Sequence, residues 1–321
     1  MKASIKRIEY FLPEKKENNE DLKVDNPDWR IEDIEKKTGI TNRRISSKGQ
    51  TAVDLAEEAC KKLINSSINP QDIDFIILVT QSPEYPLPTS ACVLQDRLDV
   101  PSCIAFDINL GCSGFIYGLA VSSSLISSGL AQQGILVCSD TYTKYIDKND
   151  RTCRPLFSDA SAAVHISATK DDSIGPFELG SDGSGFDKLI VPSSDSKLPS
   201  DNAIANRLYM SGPDVFMFTM NMVPKAVNSL LRKANKNISD IDLFVFHQAS
   251  KLVIDSIIRH LELPEDKVFT NYRYIGNTVS ATIPIALNDA IKENRINSGD
   301  LIMLVGFGVG YSWGGVLVKW Q

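Results

Sequence analysis

The chain has 321 residues, 43% hydrophobic and 23% charged, an ordinary globular balance with ample material for a large core. That length suits about two domains or one large α/β unit. The formal net charge of -6 at pH 7 disfavours general nucleic-acid binding, and an acidic protein partner would need a locally basic patch.

The first twenty residues, MKASIKRIEYFLPEKKENNE, carry charges throughout and contain no apolar core segment, so no secretory leader is expected. Hydrophobic patterning then alternates between strands and amphipathic helices. It predicts a helix over Ala52–Ile64, a strand over Phe75–Thr80, a helix over Thr89–Leu98 and a strand over Ile104–Ile108. A helix over Gly114–Ser128 follows, then strands over Gly134–Ser139 and Ala162–Ser167. Beyond these come a helix over Val215–Ala234, a strand over Leu243–Phe246, a helix over Ser250–His260 and a strand over Lys267–Thr270. The C-terminal part predicts a helix over Ser280–Glu293 and strands over Leu301–Val305 and Gly315–Val318. The uncharged run from Leu301 to Val318 has membrane-spanning length, but its five glycines favour strand–turn–strand over a transmembrane helix.

The two halves resemble each other. NPQDIDFIILVTQS at 69–82 matches NISDIDLFVFHQAS at 237–250, an offset of 240 − 72 = 168. A strand leads to Gly111-Cys112 and a helix in one half, and to Gly276-Asn277 and a helix in the other, an offset of 277 − 112 = 165. SSGLAQQGILVCS at 127–139 matches NSGDLIMLVG at 297–306. A duplicated chain is therefore expected, with halves at 1–170 and 171–321 packed about a pseudo-twofold axis. Cys112 and Asn277 would be symmetry mates meeting in one cleft, and His247, at the end of a strand, would face it too.

Six cysteines (Cys60, Cys92, Cys103, Cys112, Cys138, Cys153) lack paired spacing and read as free thiols in a reducing cytoplasm. With three histidines and no HExxH, EF-hand or ligand cluster, no metal site is expected. The absence of a lysine-bearing P-loop and of a complete GxGxxG weakens nucleotide readings. Cys60, Cys92, Cys103 and Cys138 read as buried hydrophobes, His165 as a sheet residue and His260 as a solvated one. Cys112 stands apart, between Gly111 and Ser113 at a strand-to-helix turn. It is either a buried hydrophobe or a thiolate favoured by a helix N-terminus, which would lower its pKa. His247 can hydrogen-bond or carry protons, or be structural. Asn277 can cap a helix or donate from a non-titrating amide. Together the three suit acyl transfer. The glycine-rich GFGVGYSWGG, 306–315, is either a plain hairpin or a turn that aims backbone N–H groups at an oxyanion.

Six motifs in order resemble the β-ketoacyl-acyl-carrier-protein synthase III family of the thiolase superfamily: PDWRIEDIEKKTGITNRRI (27–45), PTSACVLQDRL (88–98), FDINLGCSGFIYGL (106–119), HQAS (247–250), GNTVSATIPIAL (276–287) and the closing GFGVGYSWGGVLVKW. The resemblance covers nearly the whole chain and implies a thiolase-like α/β fold, five layers αβαβα in two pseudo-symmetric halves. It implies that Cys112 takes an acyl group from acyl-CoA, and that a malonyl thioester on acyl carrier protein then loses CO2. His247 and Asn277 would hold the enolate, and the N–H groups of Cys112 and Val309 would form the acyl oxyanion hole. Trp29 and Arg151 would flank the CoA adenine, Phe157 and Phe216 would line the channel, and Lys251 would lie at the carrier-docking surface. A cytoplasmic homodimer is implied, with Leu87 reaching the partner's acyl pocket and no cofactor beyond these substrates.

The chain departs from the family pattern at Gly308-Val309-Gly310, at Phe157-Ser158-Asp159-Ala160-Ser161-Ala162, at HQAS in place of HQAN, at Leu252 where a docking arginine is usual, and at Leu87 where a bulkier aromatic is common. A competing reading is acyl transfer through Cys112 to an alcohol or amine without decarboxylation. A biosynthetic thiolase needs a second cysteine near the C-terminus, and the last here is Cys153. A silent subunit would tend to lose the nucleophile. No GxSxG supports a serine hydrolase.

Overall fold

The computed structural model describes residues 1–171, 173–192 and 206–321. In chain order the first half forms β1 (Lys2–Phe11), β2 (Lys16–Asn18), α1 (Asn19–Asp25), α2 (Ile31–Thr38), β3 (Asn42–Arg44), α3 (Ala52–Ser67), β4 (Phe75–Val79), α4 (Ser90–Arg97), β5 (Ile104–Ile108), α5 (Gly114–Ser127), β6 (Gln133–Asp140) and β7 (Ala160–Thr169). The second half forms β8 (Ile174–Ser181), β9 (Leu189–Ile190), β10 (Tyr209–Met210), α6 (Gly212–Ala234), β11 (Leu243–Phe246), α7 (Lys251–Leu261), α8 (Tyr272–Ile275), α9 (Thr282–Lys292), β12 (Leu301–Gly308) and β13 (Ser312–Lys319).

Two sheets carry the architecture. One runs β1-β7-β6-β4-β5 and the other β8-β13-β12-β11. Every residue of β4 (FIILV) and of β11 (LFVF) is buried, as a strand covered on both faces requires. The helices α3 and α4 pack on the outer face of the first sheet, and α6 and α7 on that of the second. Between the sheets lie α5 and α9, each touching strands of both. The resulting order is helices, sheet, helices, sheet, helices, the five-layered duplicated α/β fold expected of the chain. The largest apolar cluster is this middle layer, with Phe115, Ile116 and Leu119 of α5 packed beside Ile283, Ala286 and Leu287 of α9. In α5 the apolar run GFIYGLAV has little charge to place in water, which suits a helix enclosed by two sheets.

The repeat persists down to single hydrogen bonds. Parallel pairing sets Phe75 opposite Gly134 and Leu243 opposite Ile302, and both members shift by the same amount (243 − 75 = 168; 302 − 134 = 168). The Asp74 backbone N–H donates to the Gln133 carbonyl at 3.0 Å, and the Asp242 N–H to the Leu301 carbonyl at 2.9 Å. The Asp74 carboxylate accepts the N–H groups of Gln132 and Gln133, and the Asp242 carboxylate accepts that of Leu301 at 2.8 Å. The shared Asp-Ile-Asp is thus a latch between neighbouring parallel strands.

Two expectations are corrected. Lys267–Thr270 is not a strand. Lys267 ends a short 3-10 turn, and only Val268 bridges to Phe244 before α8 begins. The residues are apolar because Val268 and Phe269 fill the core, not because they extend the ladder. The pairing of Cys112 with Asn277 also shifts. The middle helices start at Gly114 and Thr282 (282 − 114 = 168), so the same offset matches Cys112 with Ser280, and Asn277 lies three residues earlier. The run from Leu301 is a hairpin, β12 returning as β13, and no helix among the described residues is long and apolar enough to cross a membrane.

Candidate active site

A cavity of about 750 Å³ brings the sequence candidates together. Cys112, His247, Asn277, Arg151, Phe157 and Phe216 all line it. At its open end lie the exposed Lys37, Arg151 and Leu252.

Cys112 sits in the turn between β5 and α5, two residues before the helix begins, and is 5% exposed. The hairpin of the other half closes over it. A Cβ on Gly306 would lie 2.7 Å from the Cys112 carbonyl oxygen and 2.8 Å from the Ser113 Cα. One on Gly308 would come within 3.0 Å of the Cys112 sulfur. Glycine at these positions lets a strand run directly over the thiol. The Ser113 hydroxyl meets that of Ser312 at 2.7 Å, a direct tie between the halves. Val309 follows, with its backbone N–H and that of Cys112 directed at the sulfur. Its side chain leans towards Gly111.

Electrostatics at the thiol favour its protonated form. Burial, followed by the charge of Asp140, pushes the Cys112 thiol up to about 12. The two N–H groups act in the opposite direction and are outweighed. The turn at Cys112 and the hairpin at Val309 each aim a donor at the sulfur, and burial keeps the thiol protonated at rest. Asp140 is wholly buried, accepts the Gln81 N–H at 2.8 Å and the Ser280 hydroxyl at 2.5 Å, and is itself raised to about 7 by burial.

His247 follows β11, anchored by its N–H to the Val305 carbonyl at 2.8 Å. Burial holds its imidazole down to about 3, so it is neutral near pH 7. Nδ1 lies 2.7 Å from the Thr282 hydroxyl, Nε2 lies 3.4 Å from the Asn277 Nδ2, and the Phe307 ring meets the imidazole edge-on at 5.5 Å. Asn277 is fixed on both sides. Its N–H donates to the Leu156 carbonyl at 2.9 Å, its carbonyl accepts from Ser158, and its Oδ1 accepts the Val279 N–H at 2.9 Å. With Oδ1 occupied, the amide turns its NH2 towards the imidazole and the cavity. The arrangement offers a buried thiol, two backbone donors on it, and a neutral imidazole beside an amide.

The remaining candidates divide. Trp29 packs on Leu22, Ile31 and Ile34 and does not line the cavity, although Asp33, Ile34 and Lys37 of the same segment do. Lys251 opens α7 and pairs with Asp255 at 2.6 Å, beside the cavity residues Ser250 and Leu252. Leu87 lies on an exposed loop, 86% accessible. Ser250, where the family pattern has asparagine, caps α7 by accepting the Val253 N–H, a task either residue performs. Among the other cysteines Cys60 and Cys138 are buried, whereas Cys92 and Cys103 are only half-buried, and all six are free. His165 lies in β7, with Nδ1 2.7 Å from the Ser67 hydroxyl, and His260 is exposed on α7. Sequence reasoning missed Thr282, Phe307 and Asp140. Thr282 stands five residues after Asn277, and only the intervening turn brings it under the imidazole.

Comparison with known proteins agrees with this fold. The family described as 3-oxoacyl-[acyl-carrier-protein (ACP)] synthase III matches residues 106–183, and its C-terminal counterpart matches residues 231–320. A β-ketoacyl-[acyl-carrier-protein] synthase III of Clostridioides difficile (strain 630) is 36% identical over 327 residues, covering 99% of this chain and 98% of its own. A crystal structure of a 3-oxoacyl-(acyl-carrier-protein) synthase III is 40% identical, with a TM-score of 0.94 and full coverage of both chains. That of a 3-oxoacyl-(acyl-carrier protein) synthase from Burkholderia xenovorans LB400 is 33% identical, with a TM-score of 0.95, covering 100% of this chain and 95% of the other.

Proposed function

The chain belongs to the 3-oxoacyl-[acyl-carrier-protein] synthase III family, and from that premise we propose that it is an acyltransferase that condenses an acyl-CoA primer with a malonyl thioester on acyl carrier protein through an acyl-Cys112 intermediate. The observation that carries the reading is the convergence of Cys112, His247 and Asn277 on one cavity, with the Val309 N–H on the sulfur.

In the first step the Cys112 sulfur attacks the thioester carbonyl of acyl-CoA. The new S–C bond replaces the bond to CoA, and the thiol proton ends on the departing CoA sulfur. The N–H groups of Cys112 and Val309 hold the oxygen as it becomes an oxyanion. Each such donor contributes about 3 kcal/mol to the transition state. In the second step the malonyl group loses CO2, and the released electron pair forms an enolate whose oxygen accepts from Asn277 and His247. The enolate carbon attacks the acyl group, a carbon–carbon bond forms, and Cys112 leaves as thiolate and takes a proton from solvent. Because burial keeps His247 neutral, it serves as a hydrogen-bond donor rather than a proton store.

Arg151, Phe157 and Phe216 line the cavity that would take CoA, with Trp29 on the same N-terminal segment as the lining residues Asp33 and Lys37. Lys251 sits beside the opening for the carrier protein. The enzyme works in the cytoplasm, a compartment that its six free thiols suit, as a homodimer in which Leu87 reaches the partner's acyl pocket.

The test is a panel of acyl-CoAs read by intact mass, followed by malonyl carrier protein with CO2 measured. Wild type gains one acyl group and Cys112→Ala gains none. His247→Ala is acylated but releases no CO2. Equal labelling of wild type and Cys112→Ala, or no labelling across the panel, would reject the nucleophile. Unchanged CO2 release in His247→Ala would reject the role of the imidazole.

A further inference from the structure

The last residue of β6 carries a carboxyl that the mechanism above leaves unused. Asp140 is wholly buried, and its two oxygens serve different segments. Oδ1 accepts the Gln81 N–H at 2.8 Å, with the hydroxyls of Ser82 and Thr80 further off at 3.4 and 3.5 Å. Oδ2 accepts the Ser280 hydroxyl at 2.5 Å, and the Ser280 N–H points at the same carboxyl. We propose that Asp140 is a positioning residue for the decarboxylating step: through Ser280 it holds Val279 in a left-handed backbone conformation that fixes the Asn277 amide. The inference deepens the condensing role assigned above and rests on it.

Three observations carry it. First, Val279 has a φ of 55°. The other non-glycine residues with positive φ among those described are Asp99, Asn235, Glu262 and Asn294, so Val279 is the β-branched one. A branched Cβ crowds the backbone in this region, and the conformation persists only where its surroundings impose it. Second, the peptide groups of Val279 face the site on both sides. Its N–H donates to the Asn277 Oδ1 at 2.9 Å, and its carbonyl accepts the Thr282 hydroxyl at 3.1 Å. A valine relaxed to negative φ would turn that N–H away from Oδ1. The Asn277 main chain would stay, because Leu156 and Ser158 hold it, but the amide would lose the bond that sets which end faces the cavity. Third, the anchor crosses the seam between the halves. Asp140 belongs to the first half and Ser280 to the second, where it matches Cys112 in the repeat (280 − 112 = 168). The turn that presents a thiol in one half is tied down by a hydroxyl in the other. Ser280 is 1% exposed and Asp140 0%, so water does not compete for their bond.

The competing restraint is packing. The Val279 side chain is enclosed with Cys112, Tyr142 and Phe157. If packing alone held the turn, removing the Ser280 hydroxyl would leave it unmoved. If Asp140 holds it, that removal frees the Asn277 amide while Cys112 and its two backbone donors stay in place. The second half of the reaction would then suffer and the first would not.

The experiment uses the full chain labelled with ¹⁵N-valine, and the Val279 amide signal is assigned by its loss in Val279→Gly. In wild type that amide should be protected from exchange with deuterated solvent. In Ser280→Ala it should exchange about tenfold faster or more, as the loss of a hydrogen bond to a charged group allows. Ser280→Ala should take an acyl group from acyl-CoA at the wild-type rate, yet release CO2 about 10- to 100-fold more slowly. Asp140→Asn should slow CO2 release likewise, and Ser280→Ala carries the test where Asp140→Asn does not fold. In a Val279→Gly background the left-handed conformation is freely available. There the Ser280→Ala change should slow CO2 release about twofold at most, the scatter of independent sites. An unchanged Val279 amide, undiminished CO2 release, an equal fall in acyl loading and CO2 release, or the same penalty in the Val279→Gly background would each overturn the proposal. Failure of wild type to take any acyl group would instead reject the parent reading, and the Val279 amide would still report whether Ser280 holds the turn.

Discussion

At Cys112 two local effects oppose each other and burial wins. A thiol raised to about 12 has a thiolate fraction that grows tenfold with each pH unit below that value. Alkylation of Cys112 by iodoacetamide, followed by peptide mass, should climb from pH 7 to pH 10 without a plateau. A plateau near pH 7 would mean that the two N–H groups outweigh burial after all. The same shift affects stability. An unfolded thiol titrates near its ordinary value and the folded one above it, so the contribution of Cys112 is complete below the ordinary value and is lost as pH rises towards about 12. His247 has the reverse sign, its contribution present above the ordinary imidazole range and lost as pH falls towards about 3. The sequence marked Cys112, His247 and Asn277 because each stands beside a turn with unusual neighbours. Thr282 could not be marked. A threonine at a helix start reads as an ordinary N-terminal residue, and its contact with the imidazole is to a ring 35 residues away.

The hairpin of β12 and β13 shows how an element becomes part of a site. Its strands were legible from LIMLV and GVLV, but their extension to Gly308 and Ser312 was not, because glycine carries no strand signal. The glycines belong to close approach. A Cβ on Gly306 would meet backbone atoms of Cys112 and Ser113, which cannot swing aside. Gly306→Ala should therefore cost about 1–3 kcal/mol by overpacking and lower the melting temperature by several degrees. It should also slow acyl loading. Gly183→Ala, where nothing lies within 4 Å of the added carbon, is the control and should melt like wild type. Equal melting of both variants would show that the hairpin yields. β1 and β8 escaped the sequence reading for related reasons. β1 has a register shift between Ile5 and Arg7 that breaks its alternation, and β8 is interrupted by Gly175-Pro176 and is nowhere fully buried.

Across the whole molecule the 168-residue offset was legible because latch residues such as Asp74 and Asp242 perform the same task twice. The mate of Cys112 was misread because turns tolerate a few residues of drift that strands in register do not. The proposed homodimer is tested at Leu87. It is 86% exposed and shares its loop with Tyr85, 48% exposed, a pair that a monomer would leave in water. Light scattering should give twice the 35.4 kDa chain mass for wild type and a single chain for Leu87→Asp. A monomeric wild type would reject the dimer.

The seam between the halves has a temporal meaning as well. The Ser113–Ser312 contact joins residues 199 apart in sequence, and the cover over the sulfur comes from the last strand pair of the chain. Contacts of such separation close late, after the more local β–α units have formed. The thiol is enclosed only once β12 and β13 are made and folded over it, so acyl transfer through Cys112, as distinct from the bare reactivity of an exposed thiol, is withheld from any copy that lacks them.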